Sequence, residues 1–167
     1  MVSQYTYHDF EQLASDAAWL LEELDVLKRM LPVIPYHERP MGQESVLDMI
    51  AKIGYVTEVY YRPALQLFVN RNAKLHYTSI EEALKFFSDQ YYRDSEPNAL
   101  LDRLISNRKE LLDFLSQIKK DQFNHRIHMD GRVWSLAELV HEMVRFDRQQ
   151  LKQVAERVLD MQTDRQV

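Results

Sequence analysis

Asp147 is the residue in this sequence that most needs an explanation. It falls on a row made of Leu136, Val140, Met143, Leu151, Val154, Val158 and Met161, spaced in threes and fours as on the apolar face of a helix. A carboxylate buried there without a partner is strongly destabilising, so Asp147 must find a donor, reach water or turn away from the core. Gln150 lies beside it on the same face. Arg108 is an equally misplaced cation within the row Leu101, Leu104, Leu111, Leu115 and Ile118. A salt bridge between Arg108 and Asp147 is the structural reading of these two residues. A polar cluster able to bind a small molecule is the functional one, and it stabilises only if its hydrogen bonds are complete.

The other side chains with chemical potential point to less. His125 and His128 are three apart, a spacing that suits a metal on a helix, but their segment reads as extended or looped. His37 sits among prolines and reads as a solvated loop residue, and His141 has no second histidine three or four positions away. The tyrosines at 55, 60 and 61 read as packing residues. With no cysteine, thiolate nucleophiles, sulfur metal sites and disulfides are excluded. There is no glycine-rich phosphate loop and no serine in a recognisable nucleophile setting.

The elements that must position these residues are helices. Ser135 followed by Glu138 is a capping box, which starts the last helix and carries it to about Met161. Helix one follows Phe10, Leu13, Ala17, Leu20, Leu24, Leu27 and Leu31, with Asp9 as the expected cap and the prolines at 32, 35 and 40 ending it. Helix two is expected from Glu44 or Ser45. Its wide apolar face includes Leu47, Ile50, Ile53, Val56 and Tyr60, and Pro63 should kink or divide it. Thr78 or Ser79 caps a shorter helix through "IEEALKFFSDQYY", with Ile80, Leu84, Phe87 and Tyr91 as its buried stripe. Ser95 is the expected cap of helix three, with Pro97 in its first turn. Asp130-Gly131 should close a small hairpin before the last helix. The expected fold is an all-α four-helix bundle, in one domain over residues 1–167, with a short additional helix and long crossover connections.

Composition narrows the function classes. Only three glycines and five prolines leave little material for an all-β chain. A net charge of -5, without a basic stripe, argues against nucleic acid. No run approaches the roughly 20 apolar residues of a membrane span, and "MVSQYTYHDF" lacks the features of a signal peptide, so a cytoplasmic protein is expected.

The helix order, the turn followed by "WSLAEL" and the segment "FDRQQLKQV" resemble the DinB/YfiT-like superfamily of bacterial four-helix bundles. Its members carry a sequence like "HDxxHxxQI" at that last place, and the resemblance implies two histidines which, with a third from helix two, hold a divalent metal. Here Asp147, Gln153 and Val154 match, but Phe146 and Gln150 stand where the two histidines belong. "SVLDMIAKIGYVTEV" resembles the helix-two stretch, with Lys52 in place of the third histidine. A benzyl group, a carboxamide and an ammonium make no transition-metal site. The resemblance therefore implies a metal-free relative, non-catalytic at the family site, that serves as a binding or dimerisation module. In that relative Phe146 would fill the former metal position, with Lys52, Asp147, Gln150 and Arg108 around it. No cofactor is expected, and a homodimer is.

Two alternatives follow from the same resemblance. One is a metal-dependent hydrolase or low-molecular-weight-thiol transferase, with zinc or nickel at a displaced site built from His141 and Glu138, Glu142 or Glu58. The other is a metal-independent pocket for a small molecule in which Lys52 serves as base or anion anchor.

Overall fold

The computed structural model describes residues 5–88, 92 and 96–164. Helix α1 (Tyr7–Arg29) is followed by two 3-10 turns and then by α2 (Val46–Val56), which continues through a π-turn at Thr57–Tyr61 into α3 (Arg62–Gln66). Next come a short α4 (Ile80–Lys85), the long α5 (Pro97–Ser116), a single turn α6 (Lys120–Phe123), strands β1 (Arg126–Met129) and β2 (Arg132–Ser135), and α7 (Leu136–Asp164). This is the expected all-α four-helix bundle, with α1, the α2–α3 rod, α5 and α7 as its long members.

The helix ends follow local chemistry. Ser45 caps α2 in a capping box with Asp48, and Ser135 exchanges backbone hydrogen bonds with Glu138 at the start of α7. The cap of α1 is Thr6 rather than Asp9: the Thr6 hydroxyl accepts the Asp9 N–H while the Asp9 carboxylate accepts the Thr6 N–H. Asp9 is therefore the third residue of the box, and the helix begins one turn earlier than its apolar row suggests. Ser95 and Tyr91 lie outside the described residues; the residue at the α5 cap position is Glu96, followed by Pro97 at the first helical position. Helix α4 is capped by Ser79 but stops at Lys85, and only Ala83 is fully buried on it. Ile80, Leu84 and Phe87 are half-buried against the core instead.

Pro63 acts on the rod that contains it. Lacking an N–H, it cannot close the usual bond to the preceding turn, and the Arg62 N–H reaches Thr57, five residues back. The extra residue in that turn lets consecutive tyrosines, Tyr60 and Tyr61, both face the interior. At the hairpin, Asp130 and Gly131 both take positive φ, 53° and 71°, as a tight two-residue connection between right-twisted strands requires.

Side-chain pairs give the helix directions. Tyr5 meets His141 and Asp16 meets Arg148, so α1 and α7 run parallel. Lys28 pairs with Asp102 near the start of α5 while Tyr7 stacks edgewise on Phe123 of α6, just beyond the end of α5, so α1 and α5 are antiparallel. Glu58 with Arg103 and Arg62 with Glu110 make the α2–α3 rod parallel to α5. Arg157 donates to the Glu44 carbonyl while Phe146 packs on Tyr61, so α2 and α7 are antiparallel. In chain order the long helices point up, down, down and up. The extensive contacts are α1 with α5, α1 with α7, α2 with α5 and α2 with α7, which puts α1 and α2 on one diagonal and α5 and α7 on the other.

Candidate functional site

The core is divided by a polar layer. One apolar cluster gathers Phe10, Val56, Tyr61, Leu111, Leu139 and Met143 among others; a second gathers Leu20, Leu24, Ile50, Leu101, Leu104 and Val154. All four long helices contribute to both. On α5 the change from one cluster to the other falls between Leu104 and Leu111, which is where Arg108 stands. On α7 it falls between Val144 and Val154, where Asp147 and Gln150 stand.

Arg108 and Asp147 are almost completely buried, and an Arg108 Nη2–H donates to Asp147 Oδ2 at 2.8 Å. Arg108 Nη1 also lies 3.7 Å from the Met143 sulfur. Because α5 and α7 occupy opposite corners, this ion pair crosses the middle of the bundle. It is the expected salt bridge, but an incomplete one. Arg108 Nε, Asp147 Oδ1, Gln150 Oε1 and the Tyr61 hydroxyl find no protein hydrogen-bond partner among the described residues. Burial pushes the Asp147 carboxyl up to about 6, against the charge and hydrogen bond of Arg108, which pull it down. Burial, and next to it the negative charge of Asp147, raises the Tyr61 hydroxyl far above its ordinary value. Tyr61 is the packing residue that sequence reasoning expected; what that reasoning missed is that its hydroxyl is buried without a protein partner among the described residues. The available signal was the pair Tyr60-Tyr61 just ahead of Pro63, where the π-turn rotates an additional side chain inward.

The remaining members of the expected cluster have other partners. Lys52 is half-buried, its ammonium pairs with Glu44 and it sits 5.9 Å from the centre of the Phe87 ring. Phe146 is half-buried against the first cluster, its ring 6.3 Å from that of Tyr61. The fold therefore joins Arg108 to Asp147, keeps Gln150 buried three residues further along α7, and ties Lys52 to Glu44 instead.

The side chains considered for a displaced metal site are also engaged separately. Glu58 accepts two hydrogen bonds from Arg103 and a third from Asn107. Glu138 caps α7, Glu142 pairs with Arg145, and His141 Nδ1 lies 3.2 Å from the Tyr5 hydroxyl. His125 Nδ1–H donates to the Phe68 carbonyl at 2.8 Å and ties the hairpin to the end of the α3 rod, while His128 faces out. Among the described residues no three His, Cys, Asp or Glu side chains group so as to hold a metal ion. The donor set at the place where the resemblance locates a metal, an ammonium, a benzyl group and a carboxamide, does not fit a divalent cation. No described helix is long and apolar enough to cross a membrane.

Neither a protein-family model nor a curated protein matches the chain. Among solved structures the chain is similar to YfiT from Bacillus subtilis, described as a probable metal-dependent hydrolase with an unusual four-helix bundle topology. The two share 12% sequence identity at a TM-score of 0.75, over 96% of this chain and 92% of YfiT. The bundle fold is therefore common to both.

Proposed function

We propose that this chain is a divergent DinB/YfiT-like bundle that has kept the scaffold and lost the metal chemistry, and that it works as a binding or self-association module. One observation carries this reading: the buried Arg108–Asp147 bond crosses the centre of the bundle. A metal-dependent hydrolase needs a cation with an open coordination position where water or substrate is polarised. Here the carboxylate in the inherited motif is bonded to a guanidinium, and Lys52 is neutralised by Glu44. Side chains so arranged hold the helices in register, and neither charge is left free to take a metal ligand's place.

The test is metal content and response. Protein purified without chelator is expected to contain no stoichiometric zinc or nickel, and added zinc or nickel should leave its thermal midpoint unchanged. A stoichiometric metal would overturn the proposal in favour of a hydrolase or thiol transferase with a displaced site.

A further inference from the structure

We infer that the polar layer is a binding site for one internal water molecule, coordinated by Arg108, Asp147, Gln150 and the Tyr61 hydroxyl. The inference rests on the metal-free reading of this layer and adds the ligand that completes it. Four polar atoms there are closed off from bulk solvent and meet no hydrogen-bonding group of the protein among the described residues: Arg108 Nε, Asp147 Oδ1, Gln150 Oε1 and the Tyr61 oxygen. Arg108, Asp147 and Tyr61 are at most 3% exposed, and Gln150 is 9% exposed. Folded proteins rarely leave buried polar groups in this condition, and where side chains do not meet one another an enclosed water joins them.

The four atoms are gathered by one ion pair and the helices around it. Arg108 and Asp147 make a single hydrogen bond, through Nη2 and Oδ2 at 2.8 Å, although a guanidinium and a carboxylate can make two. The unused nitrogen and oxygen belong to the same two planar groups, so they lie close on either side of that bond. Gln150 follows Asp147 by three residues on the buried face of α7, the spacing at which helical side chains are neighbours. Tyr61 packs against Phe146, the residue before Asp147, and its hydroxyl feels the charge of Asp147 more than any other.

Their hydrogen-bonding roles are those a water molecule complements. The Nε–H only donates, the carboxylate and amide oxygens only accept, and the phenol does either. A water that accepts from Arg108 and Tyr61 and donates to Asp147 and Gln150 uses both of its lone pairs and both of its O–H bonds. A cation would face the Arg108 guanidinium, an anion would face the Asp147 carboxylate, and an apolar guest would leave all four atoms unsatisfied. Through the water, Tyr61 of the α2–α3 rod, Arg108 of α5 and two residues of α7 become one network. Gln150, the least buried of the four, stands on the side from which the water exchanges with solvent.

A high-resolution crystal structure of the full chain, with data collected on both sides of the zinc and nickel absorption edges, tests this. Expected is one peak of density without anomalous signal, about 2.7–3.2 Å from at least three of the four atoms. A dry layer, in which Arg108 Nε bonds directly to Asp147 Oδ1 or the Gln150 amide reaches that carboxylate itself, would overturn the inference and leave the proposed function standing. An anomalous peak in the layer would sink both. In solution, Tyr61→Phe and Gln150→Met each remove one partner of the water. Each should lower the midpoint of urea unfolding, and the double variant should lower it by less than the sum, because both act on the same water. In a dry layer Tyr61→Phe removes an unsatisfied hydroxyl, so a raised midpoint with additive shifts would also overturn the inference.

Discussion

At the scale of single residues, Arg108 and Asp147 matter as a pair rather than as separate charges. Removing one leaves the other buried and uncompensated, so Arg108→Met should cost about 3–5 kcal/mol in urea unfolding at pH 8, whereas Arg108→Met with Asp147→Leu should recover most of that loss. The pH dependence has a definite sign. Burial pushes the folded Asp147 carboxyl up to about 6, above the ordinary 3.8, so its contribution to stability is greatest below the lower value. That contribution is lost as pH rises through about 6. The difference in unfolding free energy between wild type and Asp147→Asn should therefore change between pH 4 and 7 and level off above, and a flat difference would contradict the assignment. Without Arg108 the carboxyl moves higher still, so the cost of Arg108→Met should be smaller at pH 5 than at pH 8.

At the scale of elements, much of the chain was legible because the determinants are local. Ser45, Ser79 and Ser135 cap the helices they were expected to cap, and the Asp130-Gly131 turn closes its hairpin. Each of these rests on residues two or three positions apart. Ser135→Ala should cost about 1 kcal/mol by removing the hydroxyl that accepts the Glu138 N–H, measured as a fall in the midpoint of urea unfolding. Gly131→Ala should cost a similar amount, about 1 kcal/mol, because φ there is 71° and alanine resists it. Asp9 was misassigned as a cap because both it and Thr6 are good capping residues, and only the direction of their hydrogen bonds separates the roles. The extent of α4 was misjudged because its apolar residues continue to Phe87 while the α-helix ends at Lys85, after which the Phe86 and Phe87 N–H groups bond only three residues back, to the Ala83 and Leu84 carbonyls.

At the scale of the molecule, the two apolar clusters share all four long helices, and we propose that they unfold together as one domain. Leu24→Ala in one cluster and Leu139→Ala in the other should each cost about 2–5 kcal/mol. Both should move the midpoint of a single urea transition without changing its slope. Two separated transitions in either variant would show that the polar layer divides the molecule into independently stable halves.

The sequence by itself determined the four long helices, most of their caps, the irregularity that Pro63 imposes on the second and the identity of the polar residues misplaced on apolar faces. These are properties of spacing within a few turns, and periodicity exposes them directly. Only the tertiary structure decided the partners: Arg108 reaches Asp147 across a diagonal, Lys52 goes to Glu44, and the Tyr61 hydroxyl is buried with no partner among the described residues. The up-down-down-up order of helices also brings α1 and α7 side by side in parallel, and so puts residues more than a hundred positions apart in contact. Helical periodicity says which face of each helix is apolar, but which faces meet depends on how the crossings lead the chain over the bundle, and that is a property of the whole packing.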